Sequence, residues 1–574
     1  MDDFEKPCAD QEAANQTDAE AVTDHSPDGG TWQNHSRPGD HPDVTNVVTP
    51  HVVQREVQDF IHAHEQRRRQ FPRAILVGCL AGLVGTLFRL CLQFAEGFRT
   101  SLVASLRPHG AWAAMIPMVA SGVLAAVAVE LVRRFAPEAS GSGIPHLKAV
   151  LLHLREMRWR RLLPVKFVGG VAGIGAGLAL GREGPTIQMG SAIGQLVSEF
   201  LRVNPRERQT LIAAGAGAGL AAAFNAPLAG MVFVLEEVQR DFTPAVFAAA
   251  LVASVAADVV TRSLTGQGPV FRVRDFPSPP LTLLPAFLVL GLLAGVLGVL
   301  YNRGLLLALD LFQRGRRIPR WVKGMLVGIM AGAVVWFLPT AAGGGYTILD
   351  DTFTGRLGIE AILGLFVLRF ALTMVSYGSS APGGIFAPLL VLGALLGLAT
   401  GEGVHWLFPR MPFYPAAFAV VGMGAYFSAI VRAPLTGIVL MLEMTGHYGQ
   451  VLPLLLACAL SYGVADWLGD RPVYESLLER DLLRSQHVPE LTETLLLDVS
   501  VEAGAPFVGK QIKELGLPDG CLLITIHRGI QDQVPAASTV IQPGDRLTAV
   551  ISPGAIQAAA ILHSGVSHSA TPNH

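Results

Sequence analysis

The sequence predicts an all-α polytopic membrane protein of two related halves, closed by a small soluble α+β domain. Three observations predict it. Only 15% of the 574 residues are charged while 51% are hydrophobic, against about 25% charged in a soluble globular protein. Apolar segments follow one another from Ala74 to about Leu468. Two Gly- and Pro-containing patterns also recur in the same order at a nearly constant offset. The low charge excludes a disordered chain, a coiled coil and an ordinary cytosolic enzyme. A net charge of −2 says nothing about partners, and no nucleic-acid partner is expected. Glycine, 62 residues, is abundant enough to suit close helix packing in lipid.

Residues 1–55 are polar and read as a disordered tail; a signal peptide would need a basic start and an apolar run. The membrane domain is placed at 56–475. An amphipathic segment, Val52 to Gln70, leads into apolar cores at 74–99, 111–132, 164–180, 186–200, 211–235, 244–261, 280–311, 322–338, 358–376, 385–400, 415–444 and 450–468. A full span takes about 20 residues. Several cores are shorter and many hold Gly or Pro. Such segments mark broken or re-entrant helices, which persist at membrane depth only inside protein or beside a cavity.

Basic loops set the orientation. Arg67, Arg68, Arg69 and Arg73 precede the first span; Arg155, Arg158, Arg160 and Arg161 share one loop; Arg314, Arg316, Arg317, Arg320 and Lys323 share another. They place these loops and both termini in the cytoplasm of a multi-pass plasma-membrane protein (the inner membrane in a bacterium). After Leu468, dense charge at 469–490 leads to a strand-like domain at 490–563. There Cys521–His527 reads CLLITIH and Leu547–Ile551 reads LTAVI, each behind a Pro- and Gly-containing turn. Residues 564–574 read as a loose tail. The five cysteines form no close pair, so neither a disulfide framework nor a metal site is expected, and no cofactor.

Gly181, Pro185, Gly190 and Gly194 recur 203 residues later as Gly384, Pro388, Gly393 and Gly397. Gly215, Gly217, Ala226-Pro227-Leu228, Gly230 and Leu235-Glu236 recur 207 residues later as Gly422, Gly424, Ala433-Pro434-Leu435, Gly437 and Leu442-Glu443. The halves span roughly 74–262 and 280–470. Transporters built this way hold their substrate near the bilayer midplane, where half-helices meet. Pro145, Pro185 and Pro388 each follow a Gly turn and open an apolar run, as Pro at a helix start does. Helix starts offer unbonded N–H groups and about half a positive charge. Several converging on one point would hold an anion weakly enough to release it. The residues therefore read as an anion pathway.

Within it, Glu183 is a carboxylate at the start of a half-helix, a functional position by default in an apolar segment. Ionised, it can occupy an anion site as a tethered competitor; protonated, it must leave. It also reads as a helix-start acid favoured by the dipole, with Arg182 as partner. Ser142 can donate to a halide or cap a helix. The amides of Ile385 and Phe386 can face an anion, or the residues can simply pack. Glu236 has a counterpart in Glu443 and reads as scaffold. Glu237, replaced by Met444 in the second half, suits cytoplasmic proton entry or a solvated helix end. Tyr474, just past the last span, can donate its phenol or anchor at the interface.

Together GSGIP at 141–145, GREGP at 181–185, AAAFNAPLAG at 221–230, GGG at 343–345, SSAPGGIFAP at 379–388 and RAPLTGIVLMLEMT at 432–445 resemble the CLC family of chloride channels and chloride/proton antiporters. The resemblance implies an inverted-topology repeat and a homodimer with a pathway in each subunit. It implies central chloride ligation by Ser142, Ile385, Phe386 and Tyr474, with Glu183 as external gate and proton acceptor and Glu237 as internal proton glutamate. A titratable residue at the last position implies exchange of chloride for protons; a passive, voltage-gated type of channel is the alternative, and a membrane-embedded enzyme a remoter one. The serine of GSGIP implies chloride over nitrate. His146 departs from the acidic residue of many relatives. Residues 493–563 are similar to the C-terminal lobe of potassium-conductance-regulator domains (the TrkA C-terminal type), which implies a small-molecule or nucleotide ligand, or a stabilising cap.

Overall fold

The computed structural model describes residues 50–566 apart from 241, 269–270, 272–278, 316, 355–356, 412, 485–494, 530, 553–554 and 556. The tails expected at 1–49 and 567–574, and the side chains of Arg67, Arg68 and Arg69, lie outside the described residues. Of the compact unit Met1–His62 only the start of one helix is described; everything below concerns the unit Ala63–His574.

The first half comprises α1 (Pro50–Leu106), α2 (Met115–Phe135), α3 (Ile144–Leu151), α4 (Trp159–Gly175), α5 (Glu183–Phe200), α6 (Pro205–Phe224), α7 (Pro227–Phe233) and α8 (Pro244–Thr265). The second repeats the order as α9 (Leu284–Arg314), α10 (Arg320–Phe337), α11 (Tyr346–Thr354), α12 (Ile359–Gly378), α13 (Phe386–Leu407), α14 (Pro415–Val431), α15 (Pro434–Thr445) and α16 (Val451–Trp467), followed by α17 (Val473–Arg484). Among the described residues eight helices are long and apolar enough to cross a membrane. α5, α6 and α14 are buried on nearly every side and form the centre of the molecule.

The repeated glycines explain how those helices pack. A Cβ on Gly190 would lie 2.1 Å from the Gly215 carbonyl, and one on Gly194 2.3 Å from that of Leu211. The images in the second half are 2.5 Å from Gly393 to Gly422 and 2.0 Å from Gly397 to Phe418. Backbone touches backbone, as small residues permit between membrane helices. Gly397→Val is therefore expected to force α13 and α14 apart, at a cost of about 1–3 kcal/mol or more, and to reduce the monodisperse peak in detergent chromatography. Gly403→Val on the same helix, where a Cβ meets nothing within 4 Å, should leave that peak intact.

Two apolar runs expected to be continuous are broken. Asn225 and Arg432 adopt left-handed φ values of 52° and 67° and end α6 and α14. Pro227 and Pro434, which lack the N–H that would continue a helix, start α7 and α15. Helices α5 and α13 also begin two residues before the prolines expected to open them. Pro185 and Pro388 sit in first turns, where the N–H has no helical acceptor in any case.

The halves exchange bonds reciprocally. Gly181 N–H donates to the Gly384 carbonyl and Gly384 N–H to that of Gly181, both at 2.7 Å, across an antiparallel bridge. Glu236 accepts from the amides of Leu435 (3.0 Å) and Thr436 (2.7 Å) at the start of α15. Glu443 accepts from Leu228 (3.0 Å) and Ala229 (2.7 Å) at the start of α7. Such mutual pairing is what a two-fold relation between inverted halves produces, and it gives Glu236 the scaffold place expected of it.

The C-terminal domain is a four-stranded antiparallel sheet in the order β1 (Leu495–Ser500), β4 (Arg546–Ile551), β2 (Cys521–Arg528), β3 (Gln531–Gln533). α18 (Gln557–Val566) lays Ala558 and Leu562 into its core, and Val566, within the stretch expected to be tail, is buried there too. Asp545, in the predicted turn, receives Arg528 Nε at 2.8 Å and Nη2 at 2.7 Å and the Gln542 amide at 2.8 Å. Burial works against its charge, but these donors outweigh it and hold the carboxyl below the usual range.

Candidate functional site

Three loops meet where the halves face each other. Gly383 N–H donates to the Gly141 carbonyl at 3.0 Å, and Gly141 also bridges Pro382. A Cβ on Gly184 would lie 2.8 Å from the Ser142 carbonyl. The starts of α3, α5 and α13 thus converge, as the Gly–Pro turns predicted. Gly141 and Gly143 (φ 59° and 84°) and, in the second half, Gly343 and Gly345 (φ 65° and 87°) take the left-handed turns that let α3 and α11 begin here.

Behind each pair stands a buried cation. Lys166 on α4 donates from Nζ to the carbonyls of Ala139 (3.0 Å) and Gly141 (2.7 Å). Arg369 on α12 donates from Nη1 to Ala341 (2.9 Å) and Gly343 (2.7 Å), and from Nη2 to Gly344 (3.0 Å). Among the described residues neither has a carboxylate partner. Both were missed in the sequence, although the signal was present: each is a lone cation inside an apolar run, and they stand 203 residues apart, the offset of the GREGP repeat.

Glu183 is fully buried at the first position of α5. Its Oε2 accepts from the Ala387 amide of α13 at 3.3 Å, and its Oε1 accepts from the hydroxyl of Tyr346. The α13 amide that meets it is that of Ala387, next in sequence to the two expected to face a chloride ion. Arg182 does not partner its neighbour. Its guanidinium lies 4.6 Å from the Tyr346 ring centroid and donates to the Ala223 carbonyl at 3.3 Å, and among the described residues no ion pair joins it to Glu183. The Phe386 ring packs against Phe224 (5.4 Å), Phe427 (4.7 Å) and Phe233 (6.5 Å).

Ser142 is buried, and its Oγ accepts from the Ile144 amide at 3.4 Å, while the N-cap of α3 is Gly143. Tyr474 is fully buried, which removes the reading as an interfacial anchor; its hydroxyl has no hydrogen-bond partner among the described residues. Glu237 is not a solvated helix end either. It is 0% exposed, on a single π turn at Val234–Val238, with Oε1 2.7 Å from Lys148 Nζ and Oε2 unpartnered among the described residues. Such turns are common at functional sites. Glu236, beside it, faces away to cap α15.

Lys148 and Tyr346 escaped sequence reading because their partners lie 89 and 163 residues away, beyond any periodic signal. A cavity of about 2110 Å³ reaches from Gly141, Gly143 and Tyr377 outward to both basic loops, including Arg158, Arg161 and Arg320. Loops from the two halves thus open on one vestibule. His146 also lines it, 3.3 Å from Gln188.

Residues 124–466 match the family model described as voltage gated chloride channel, and residues 496–562 match the TrkA-C domain. Similar curated proteins include the H(+)/Cl(-) exchange transporter ClcA of Vibrio parahaemolyticus serotype O3:K6, 41% identical over 461 residues that cover 78% of this chain and 98% of that protein. The protein of the same name in Klebsiella pneumoniae subsp. pneumoniae is 42% identical over 437 residues, 73% and 91% of the two chains. A solved slow cyanobacterial Cl-/H+ antiporter aligns with TM-score 0.70 and 39% identity over 73% of this chain and 99% of that one. A eukaryotic CLC transporter, at TM-score 0.62 and 24% identity over 72% and 74% of the chains, shares the fold.

Proposed function

Because this chain belongs to the voltage-gated chloride channel (CLC) family, we propose that it exchanges chloride for protons across the membrane as a secondary active antiporter. The observation that carries the reading is the seat of Glu183: a carboxylate held by an α13 amide, where a helix start would otherwise hold a free anion. One acid that both contends with the anion and accepts a proton couples the two flows. Ionised, it blocks; protonated, it withdraws and chloride enters.

In this reading Ser142, the amides of Ile385 and Phe386, and the Tyr474 hydroxyl are the central chloride ligands. The unpartnered phenol of Tyr474 supports it, since leaving a buried donor unmet costs about 1–3 kcal/mol and an anion would meet it. Glu237 relays protons between the cytoplasm and Glu183. Lys166 and Arg369 fix the Gly loops beside the pathway.

The protein works as a homodimer with one pathway per subunit, in the plasma membrane (the bacterial inner membrane), with both termini cytoplasmic. The shared vestibule of the two basic loops supports that orientation. The domain at 496–562 serves as a cytoplasmic regulator that takes a small-molecule or nucleotide ligand. Purified protein in liposomes, with chloride and protons followed together, tests the main reading. A chloride gradient directed outward should drive protons inward. Chloride flux that moves no protons would assign a passive channel instead.

A further inference from the structure

We propose that Tyr346 is the positioning residue that holds Glu183 in its blocking place, so that one phenol-to-carboxylate hydrogen bond sets how often the pathway opens. The proposal rests on Glu183 being the gate. Both oxygens of that carboxylate are engaged, Oε2 by the Ala387 amide and Oε1 by the Tyr346 hydroxyl. The amide belongs to the helix and would be there with any side chain. The phenol is supplied by one side chain, which a substitution can remove.

Tyr346 is held firmly before it makes the bond. It is the first residue of α11, directly after the Gly343–Gly345 loop that Arg369 clamps through two of its carbonyls. Its ring lies under the Arg182 guanidinium at 4.6 Å, with the Phe271 ring 6.3 Å away. A Cβ on Gly344 would lie 2.8 Å from that ring, so the loop hugs it closely. A side chain fixed this way loses little further rotamer freedom on bonding, and most of the bond's strength is realised.

The bond also discriminates between states. A hydrogen bond to an ionised carboxylate is roughly twice as strong as one to a neutral group. It is therefore strongest while Glu183 is charged and in place, weaker once Glu183 is protonated, and lost when the side chain withdraws. Only such a difference between two states can shift their balance.

Tyr346→Phe keeps the ring under Arg182 and removes the donor alone. In chloride-loaded liposomes its turnover should rise about tenfold, the lower end for a hydrogen bond to a charged group, with proton movement still coupled. On a Glu183→Ala background the same change should do nothing, because no arm remains to be held. That double variant also reports folding, since its flux should equal that of Glu183→Ala alone. Unchanged or slower turnover in Tyr346→Phe overturns the proposal, as does equal acceleration in both backgrounds. Continued proton coupling in Glu183→Gln would instead remove the gate reading on which it stands.

Discussion

Glu183→Gln is expected to keep chloride moving and to end proton movement. Gln has the shape of Glu and can still reach the Ala387 amide. It carries no charge, so the partial positive charge at the α13 start holds it less tightly than a carboxylate, and it cannot bind and release a proton. Chloride flux should match or exceed that of the parent. It should also lose its dependence on pH: parental flux is expected to fall as pH rises, because more Glu183 is ionised and in place, whereas Gln has no such transition. Proton uptake, read with a pH dye in the same liposomes, should fall to the level of protein-free vesicles. A variant that still moves protons against a chloride gradient would show that the proton takes another route.

Glu237→Gln should separate the flows in a different way, sparing chloride and stopping protons. The buried ion pair complicates that variant. Gln leaves the Lys148 ammonium without its counter-ion, and breaking one side of a buried pair costs about 3–5 kcal/mol. Glu237→Gln combined with Lys148→Met removes both charges and should restore the thermal stability lost in the single variant, but not proton transport. If chloride and proton fluxes fell together in the double variant, Glu237 would be part of the common pathway rather than a proton relay.

The sequence made the framework legible because small residues repeat for a local reason. Gly190 and Gly397 are needed wherever two backbones touch, and the contact recurs in both halves. The ends of helices were less legible. Pro227 and Pro434, two residues past Asn225 and Arg432, are local stop signals that the length of the apolar runs masked, and Arg432 itself gives no sign of a left-handed turn. Within the candidate site, Glu183, Glu237 and Ser142 stand out in the sequence as polar groups in apolar surroundings. Lys148 reads as an ordinary cation on a short helix until folding brings it to Glu237, and Tyr346 as an ordinary aromatic after a Gly loop. Burial, which removes the anchor reading of Tyr474, is a property of the assembled protein and not of the interface-like stretch Arg471-Pro472-Val473 that precedes it.

The crossed carboxylates of Glu236 and Glu443 bear on how the protein is made and how it evolves. The ribosome delivers α7 with its opening amides unmet, and they stay so until Glu443 has been synthesised. Glu236 likewise waits for helix α15. Each duplicated copy has surrendered to its twin a group that it needs, so neither can be exchanged for a foreign module without stranding an acid on one side and a row of donors on the other. The two halves are thereby held in mutual dependence.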